Sequence, residues 1–404
     1  MDLIRLFLVL IAILIALKKN LPVGITLFAA GLLTALLYHI SVGQLAAGYW
    51  SLLKSERFMT LTGVIVLITI LGQLLKELGF LERLSEACRH LYGGNRTAVA
   101  VLPFLIGLMP MPGGALLSAP LVGNVLKEKQ YSPEFKTTAN YWFRHIVECF
   151  WPVYPGIILI EGITGMPMWK VSLLQLPFSL FMLIMGIIFF SRKIDKSGDG
   201  DVRLWHSFLD IVRTLWPIAG AITIYAAFGV PLALSILIAL VVLTATARPR
   251  WQCLSTSLKQ GLSIKLIFLV FGILSFQTVL EMSGAIDSFP KLASIYHLPP
   301  QVLIFAACFT LGLLTGMVAA YIGMGFTLLA GFIYQPVLVP SNILIGYLSG
   351  YLGMLLSPTH LCLILTNDHF GSDLTKVYKM MALPLILVSL LGFLLSVTPW
   401  AGIV

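Results

Sequence analysis

Charge is scarce in this chain of 404 residues: 11% of its side chains are charged and 58% are hydrophobic, a balance that excludes a soluble globular domain. Cysteine is scarce too. The five thiols (Cys88, Cys149, Cys253, Cys308, Cys362) are odd in number and contain no Cys-x-x-Cys pair, so their spacing yields neither a disulfide framework nor a zinc site. There is no Walker-type phosphate loop, Gly-x-Gly-x-x-Gly or His-Glu-x-x-His, which leaves ATP drive, nucleotide cofactors and zinc hydrolysis without support. An enzyme is not expected, nor an organic cofactor. Acidic residues are outnumbered, 17 against 26 Lys and Arg, yet the bases form no contiguous block, and nucleic acid is not indicated as a partner.

What fills the chain instead is apolar sequence of membrane-spanning length. Stretches at 2–17, 21–40, 58–78, 138–162, 170–191, 209–229, 231–247, 263–282, 341–366 and 378–399 each approach the ~20 residues that a bilayer core requires. Two more, 96–128 and 299–335, are longer and broken in the middle. The predicted fold class is an all-α polytopic membrane protein of about ten transmembrane helices plus two re-entrant hairpins. Residues 1–17 are not expected to be a cleavable signal: Asp2 and Arg5 share the first positions, no small-residue cleavage motif follows, and Lys18-Lys19-Asn20-Leu21-Pro22 leads into the next span.

The basic residues orient the spans. With both termini outside, eighteen Lys and Arg fall on cytoplasmic segments and five outside (Arg5, Lys54, Arg57, Lys170, Lys291). That count requires the broken stretches to return to the side they entered, as Arg96 at one end of the first and Lys127 and Lys129 at the other also suggest. Each half then crosses five times, and an odd number inverts the second half relative to the first. Internal similarity agrees: Gln73 and Glu77 recur as Gln277 and Glu281, Phe104 and Gly107 as Phe309 and Gly312, Pro152 as Pro358, and Leu176-Pro177 as Leu383-Pro384. The expected units are an inverted repeat over 1–192, a polar cytoplasmic linker over 193–204, and a second inverted repeat over 205–404. Interrupted apolar segments at matching positions mark a transporter with its site at the repeat interface.

The first hairpin breaks at Met109-Pro110-Met111-Pro112-Gly113-Gly114, where prolines remove donors and the glycine pair permits conformations a helix does not use. The second has its expected tip between Thr315-Gly316 and Gly325 and contains no proline there. The plainer alternative for both is a pair of close-packed helices with small residues at the contact. Beyond them, Asn140 to Gly156 carries Arg144, His145 and Glu148 just before Pro152-Val153-Tyr154-Pro155-Gly156, and Tyr351 to His360 carries Ser357-Pro358-Thr359-His360. Two tips and two broken helices would meet at one mid-membrane point, where helix ends offer amides to anions and carbonyls to cations.

Arg144, His145 and Glu148 are the costliest residues to place in a bilayer, since even the lower scales put a central Arg at ~2.5–3.5 kcal/mol. Functionally, Arg144 would pair with an anion, and Glu148 or His145 would carry a coupling proton. The rival is a brace: Arg144 and Glu148 are four apart and can share a helix face. His360, with Ser357 and Thr359, is the counterpart at the second break. Asn140, Tyr154 and Tyr351 are weaker candidates, and Pro112, Gly113, Gly114, Thr315 and Gly316 would contribute backbone groups to the substrate site. Gln73, Glu77, Gln277 and Glu281 read as scaffold, next to amphipathic stretches along the membrane surface.

This order of spans, hairpin, broken span and final span, given twice, resembles the ion transporter superfamily, which includes divalent-anion/sodium symporters, and is most similar to a branch of uncharacterised bacterial and archaeal membrane proteins. The resemblance implies secondary active transport of a small organic or inorganic anion by an elevator motion. It also implies a proton or sodium gradient as drive, a prokaryotic inner membrane and a homodimer. The sodium/dicarboxylate members carry Ser-Asn-Thr at both tips; here the corresponding tips have almost no side-chain hydroxyls or amides, which separates this chain from dicarboxylate specificity. Membrane lipid is the other expected partner. Alternatives are a cation/proton antiporter and a lipid-headgroup flippase or intramembrane enzyme.

Overall fold

The computed structural model describes residues 2–19, 21–89, 95–109, 114–126, 131–195, 204–334 and 337–403. Among these, regular structure is helical, with one isolated antiparallel bridge between Tyr334 and Leu338. Five helical stretches are long and apolar enough to cross a membrane: Glu56–Glu77, Met168–Lys193, Leu209–Phe228, Trp251–Ser283 and Leu374–Ser396. Helices are the expected form, because in hydrocarbon every backbone N–H and C=O must find its partner inside the segment. The chain is an all-α membrane protein.

The first half runs α1 (Asp2–Lys18), α2 (Val23–Leu37), α3 (Val42–Leu53), α4 (Glu56–Glu77), α5 (Phe80–Arg89), α6 (Asn95–Gly107), α7 (Ala115–Val125), α8 (Pro133–His145), α9 (Pro155–Thr164) and α10 (Met168–Phe189). The second half begins with α11 (Leu204–Phe228), α12 (Leu232–Ala247), α13 (Trp251–Gly261), α14 (Ile264–Ser283), α15 (Ser288–Ile295) and α16 (Pro300–Thr315). It continues with α17 (Val318–Tyr321), α18 (Ala330–Ile333), α19 (Pro340–Leu355), α20 (Leu361–Phe370), α21 (Leu374–Ser396) and α22 (Trp400–Ile403). The sequence reading passes over α3 and α13, whose 12 and 11 residues are too few to span.

Local chemistry sets the starts. Ser41 and Gln44 form a reciprocal capping box on α3, and Ser55 and Ser132 accept from the amides of Phe58 and Phe135 to open α4 and α8. Pro133, Pro155, Pro300 and Pro340 occupy first-turn positions, where a missing N–H costs nothing.

Packing interleaves the halves. Helix α2 lies along α14 while α4 lies along α12 and α13; α6 packs on α8, and α16 on α19. The α16–α19 approach is very close: a Cβ on Gly312 would stand 2.1 Å from the carbonyl oxygen of Gly350. With no water to expel from between helices in a bilayer, such small-residue contacts are what let backbones meet. Helix α9 reaches across to α17 and the π-helical turn Ile322–Phe326, and α20 reaches across to α7 and α8. The two crossings bring the ends of α8 and α20 to the same interior point.

Candidate functional site

Helix α8 stops at His145. A 3-10 turn over Ile146–Cys149 follows, and then Pro152 and Pro155, which cannot supply the amides to continue it. Helix α19 stops at Leu355, and after Ser357-Pro358-Thr359 the chain resumes at α20 with His360 as the residue before its first turn. Broken helices leave carbonyls unsatisfied, and here phenols take them. Tyr351 donates to the His145 carbonyl, Tyr347 to that of Glu148 at 2.9 Å, and Tyr141 to that of Leu355 at 3.1 Å. Tyr154 donates to the carbonyl of Gly107 at the end of α6. Tyr154 and Tyr351 therefore hold backbone in place.

Four ionisable side chains meet there. Arg144 is 1% exposed, His145 0%, Glu148 8% and His360 9%. Arg144 Nη1 donates to Glu148 Oε1 and to Cys362 Sγ, both at 3.4 Å. At an effective dielectric of ~20, opposite charges at that separation attract by roughly 5 kcal/mol, which offsets most of the burial cost of the two charges. His145 Nε2 lies 3.8 Å from the same carboxylate oxygen and 3.1 Å from His360 Nε2.

The opposite ring edges are tied to backbone. His145 Nδ1 is 2.7 Å from the Tyr141 carbonyl oxygen, and His360 Nδ1 is 2.8 Å from that of Gly316. Gly316 ends α16 at φ +63, a conformation that favours glycine. A Cβ there would meet Thr359 Oγ1 at 2.7 Å, the His360 amide at 2.8 Å and Ser357 Oγ at 2.9 Å. Gly114, at the start of α7, is pressed as closely on the guanidinium: its Cβ would stand 2.5 Å from Arg144 Nη2.

Of the residues expected from sequence, Arg144, His145, Glu148 and His360 come together, with Gly114 against the first and Gly316 against the last. Ser357 and Thr359 hydroxyls lie 2.9 Å apart beside Gly316, Ser357 buried and Thr359 exposed. Thr315 turns away, donating to Leu311 O within its own helix at 2.7 Å. Asn140 lies one turn back along α8 and donates to Thr366 Oγ1 at 3.3 Å. Pro112 and Gly113 lie outside the described residues. Sequence reasoning missed Cys362, two residues after His360, because nothing in its spacing links it to a histidine 217 positions earlier. The ligand atoms of His145, His360 and Cys362 all lie within 4.8 Å of one another, a grouping able to hold a metal ion.

The Gln-Glu pairs close on themselves. Gln73 Nε2 donates to Glu77 Oε1 at 2.7 Å and Gln277 Nε2 to Glu281 Oε1 at 2.9 Å, one helical turn apart in α4 and α14. Gln277 Oε1 also accepts from Arg57 Nη2 at 2.8 Å, and Arg57 donates in turn to the carbonyls of Gly162 and Ile163 at the end of α9.

Among curated proteins none matches the chain. Residues 2–398 match a family model described as "Protein of unknown function (DUF401)", and the chain, matched over nearly all its length, belongs to that family.

Proposed function

We propose that this protein is a secondary active transporter that moves a small organic or inorganic anion across the membrane, driven by a proton or sodium gradient. The observation that carries the reading is Arg144: a guanidinium buried between the two halves, against the backbone of Gly114, with the Glu148 carboxylate beside it. Arg is suited to planar, bidentate recognition of a carboxylate or oxyanion, and amides at the start of α7 point an anion-favouring helix end at the same place. The short apolar pair α6–α7 and the broken α16–α17 act as re-entrant hairpins in this reading, within two inverted repeats of five crossings each. The reciprocal crossings of α9 and α20 support that symmetry. Interfaces between halves are where such transporters place their site, and an elevator-like motion of the hairpins and broken helices against the remaining helices gives alternating access.

Thermal stabilisation of the purified protein against a panel of small anions and cations tests this, because a ligand that binds the folded state raises apparent stability by mass action. An anion should raise the melting temperature, and Arg144→Gln should abolish the rise. Since removing one member of a buried pair costs about 3–5 kcal/mol, Gly114→Ala serves alongside: its backbone is helical, so the fold survives while the new methyl displaces the guanidinium. Stabilisation by cations alone, or an anion effect that both variants retain, rules the anion carrier out.

A further inference from the structure

The two histidines present a contradiction that one bound cation resolves. A carbonyl oxygen can only accept a hydrogen bond, so the contacts of His145 Nδ1 to Tyr141 O and of His360 Nδ1 to Gly316 O place a proton on each Nδ1. Each neutral ring then has a bare lone pair on Nε2, and these two atoms stand 3.1 Å apart. Neither can donate to the other. Two acceptors at hydrogen-bond distance, both buried, are unfavourable unless something positive lies against both.

From this juxtaposition we infer a transition-metal site, of zinc-like coordination preference, formed by His145 Nε2, His360 Nε2 and Cys362 Sγ, with the fourth position open. A tetrahedral metal with ~2.0–2.1 Å bonds to two imidazoles holds their nitrogens about 3.3 Å apart, close to the observed 3.1 Å. The thiol lies within 4.8 Å of both nitrogens, against the about 3.6 Å that a ~2.3 Å metal–sulfur bond needs. The Glu148 carboxylate, 3.8 Å from His145 Nε2, stands beside this grouping rather than in it. Backbone carbonyls on the far ring nitrogens are the outer-shell arrangement that metal-binding histidines use to fix tautomer and orientation. Arg144 Nη1, 3.4 Å from both Cys362 Sγ and Glu148 Oε1, balances the sulfur ligand and the carboxylate beside it. The donor set combines soft sulfur with imidazole, which selects zinc-like ions over magnesium or calcium. The inference stands independently of what the transporter carries.

The test uses the full-length protein in detergent, stripped of metal and then offered Zn2+, Mg2+ or Ca2+. Zinc should bind one per chain, and X-ray absorption on the zinc-loaded protein should give two imidazole nitrogens near ~2.0–2.1 Å and one sulfur near ~2.3 Å. Cys362→Ser preserves size and should delete the sulfur shell. Its zinc affinity should fall by more than the ~10–100-fold typical of losing an outer-shell partner. His360→Asn should remove binding, with melting in the absence of metal reporting whether either variant still folds. Absence of stoichiometric zinc, or zinc bound without sulfur and unaffected by both substitutions, overturns the site. So does a protein that ignores all three metals but is stabilised by acid alone, because a proton shared between the two Nε2 atoms would then be the missing cation.

Discussion

At Gly316 three demands coincide: a positive φ, a carbonyl that holds the His360 ring, and no space for a methyl against Ser357, Thr359 and the His360 amide. Gly316→Ala meets both the left-handed penalty of ~1–2 kcal/mol and three contacts below 3 Å, to the hydroxyls of Ser357 and Thr359 and the His360 amide. We expect at least ~2 kcal/mol lost in thermal unfolding, together with loss of the ligand response; an alanine variant with wild-type melting would show that the turn is looser than this. The exposed Thr359 offers a milder probe. In a background lacking Cys88 and Cys253, Thr359→Cys should react with a membrane-impermeant thiol reagent, since Cys149, Cys308 and Cys362 are buried, and a bound anion should slow the reaction several-fold. Labelling indifferent to ligand would place the binding event elsewhere.

Residues also show where sequence reading succeeds and stops. Arg144, His145, Glu148 and His360 stood out because ionisable groups beside a proline break in an apolar stretch are expensive, and cost is visible without coordinates. Their convergence followed from the duplicated interruptions, Pro152 and Pro358. Cys362 left no such trace, because a thiol in an apolar run reads as a small hydrophobe; Gly316 was expected to lend backbone groups, but only the fold shows that its carbonyl holds the His360 ring. The phenols of Tyr141 and Tyr347 were equally hidden, since aromatic residues are common throughout the chain and only the fold shows which carbonyl each one meets.

Among elements, α9 and α8 depend on two different fasteners. The carbonyl end of α9 is held by Arg57 from α4, which also reaches Gln277 on α14, and by the Tyr334 hydroxyl on Thr164 O. Arg57 thus ties a broken helix to the long helices beside it. Arg57→Gln should leave the fold intact, at a cost of about 1–3 kcal/mol for the lost charged hydrogen bonds, and, if the proposed transport holds, change its rate more than ligand affinity. If affinity falls and rate does not, the clamp belongs to the binding site instead.

The start of α8 carries the other fastener. Glu134 accepts from the Asp373 amide at 3.4 Å and faces Lys376 Nζ at 3.8 Å, linking α8 to the beginning of α21. Its carboxyl is held below its ordinary value because its own backbone amide bonds to it, helped by Ser132, the Asp373 amide and Lys376 and opposed by slight burial. A depressed folded value means the contribution is present above the unfolded value of about 4.3 and fades as pH falls through it and below. Glu134→Gln should therefore be less stable than wild type at neutral pH and converge with it below about pH 4 in melting curves; a constant offset at every pH would refute the assignment. Helices of this kind were readable from their apolar lengths, whereas α3 and α13 were not, because short segments with mixed composition do not announce whether they pack or lie free.

Across the whole molecule, the site is a seam. Arg144, His145 and Glu148 belong to the first half, and His360 and Cys362 to the second, so neither half has a complete set of donors. During synthesis the first three enter the membrane well before their partners exist: 215 residues separate His145 from His360, roughly 10–40 s at ~5–20 residues per second. Through that interval the Arg144–Glu148 pair, four apart at the end of α8, is the compensation available within that helix and the turn that follows it. The pair that weakens a purely functional reading of Arg144 is thereby what allows the residue to wait: the ion pair acts first as an escort for its own insertion, and the later arrival of α20 converts a temporary partnership into a finished site.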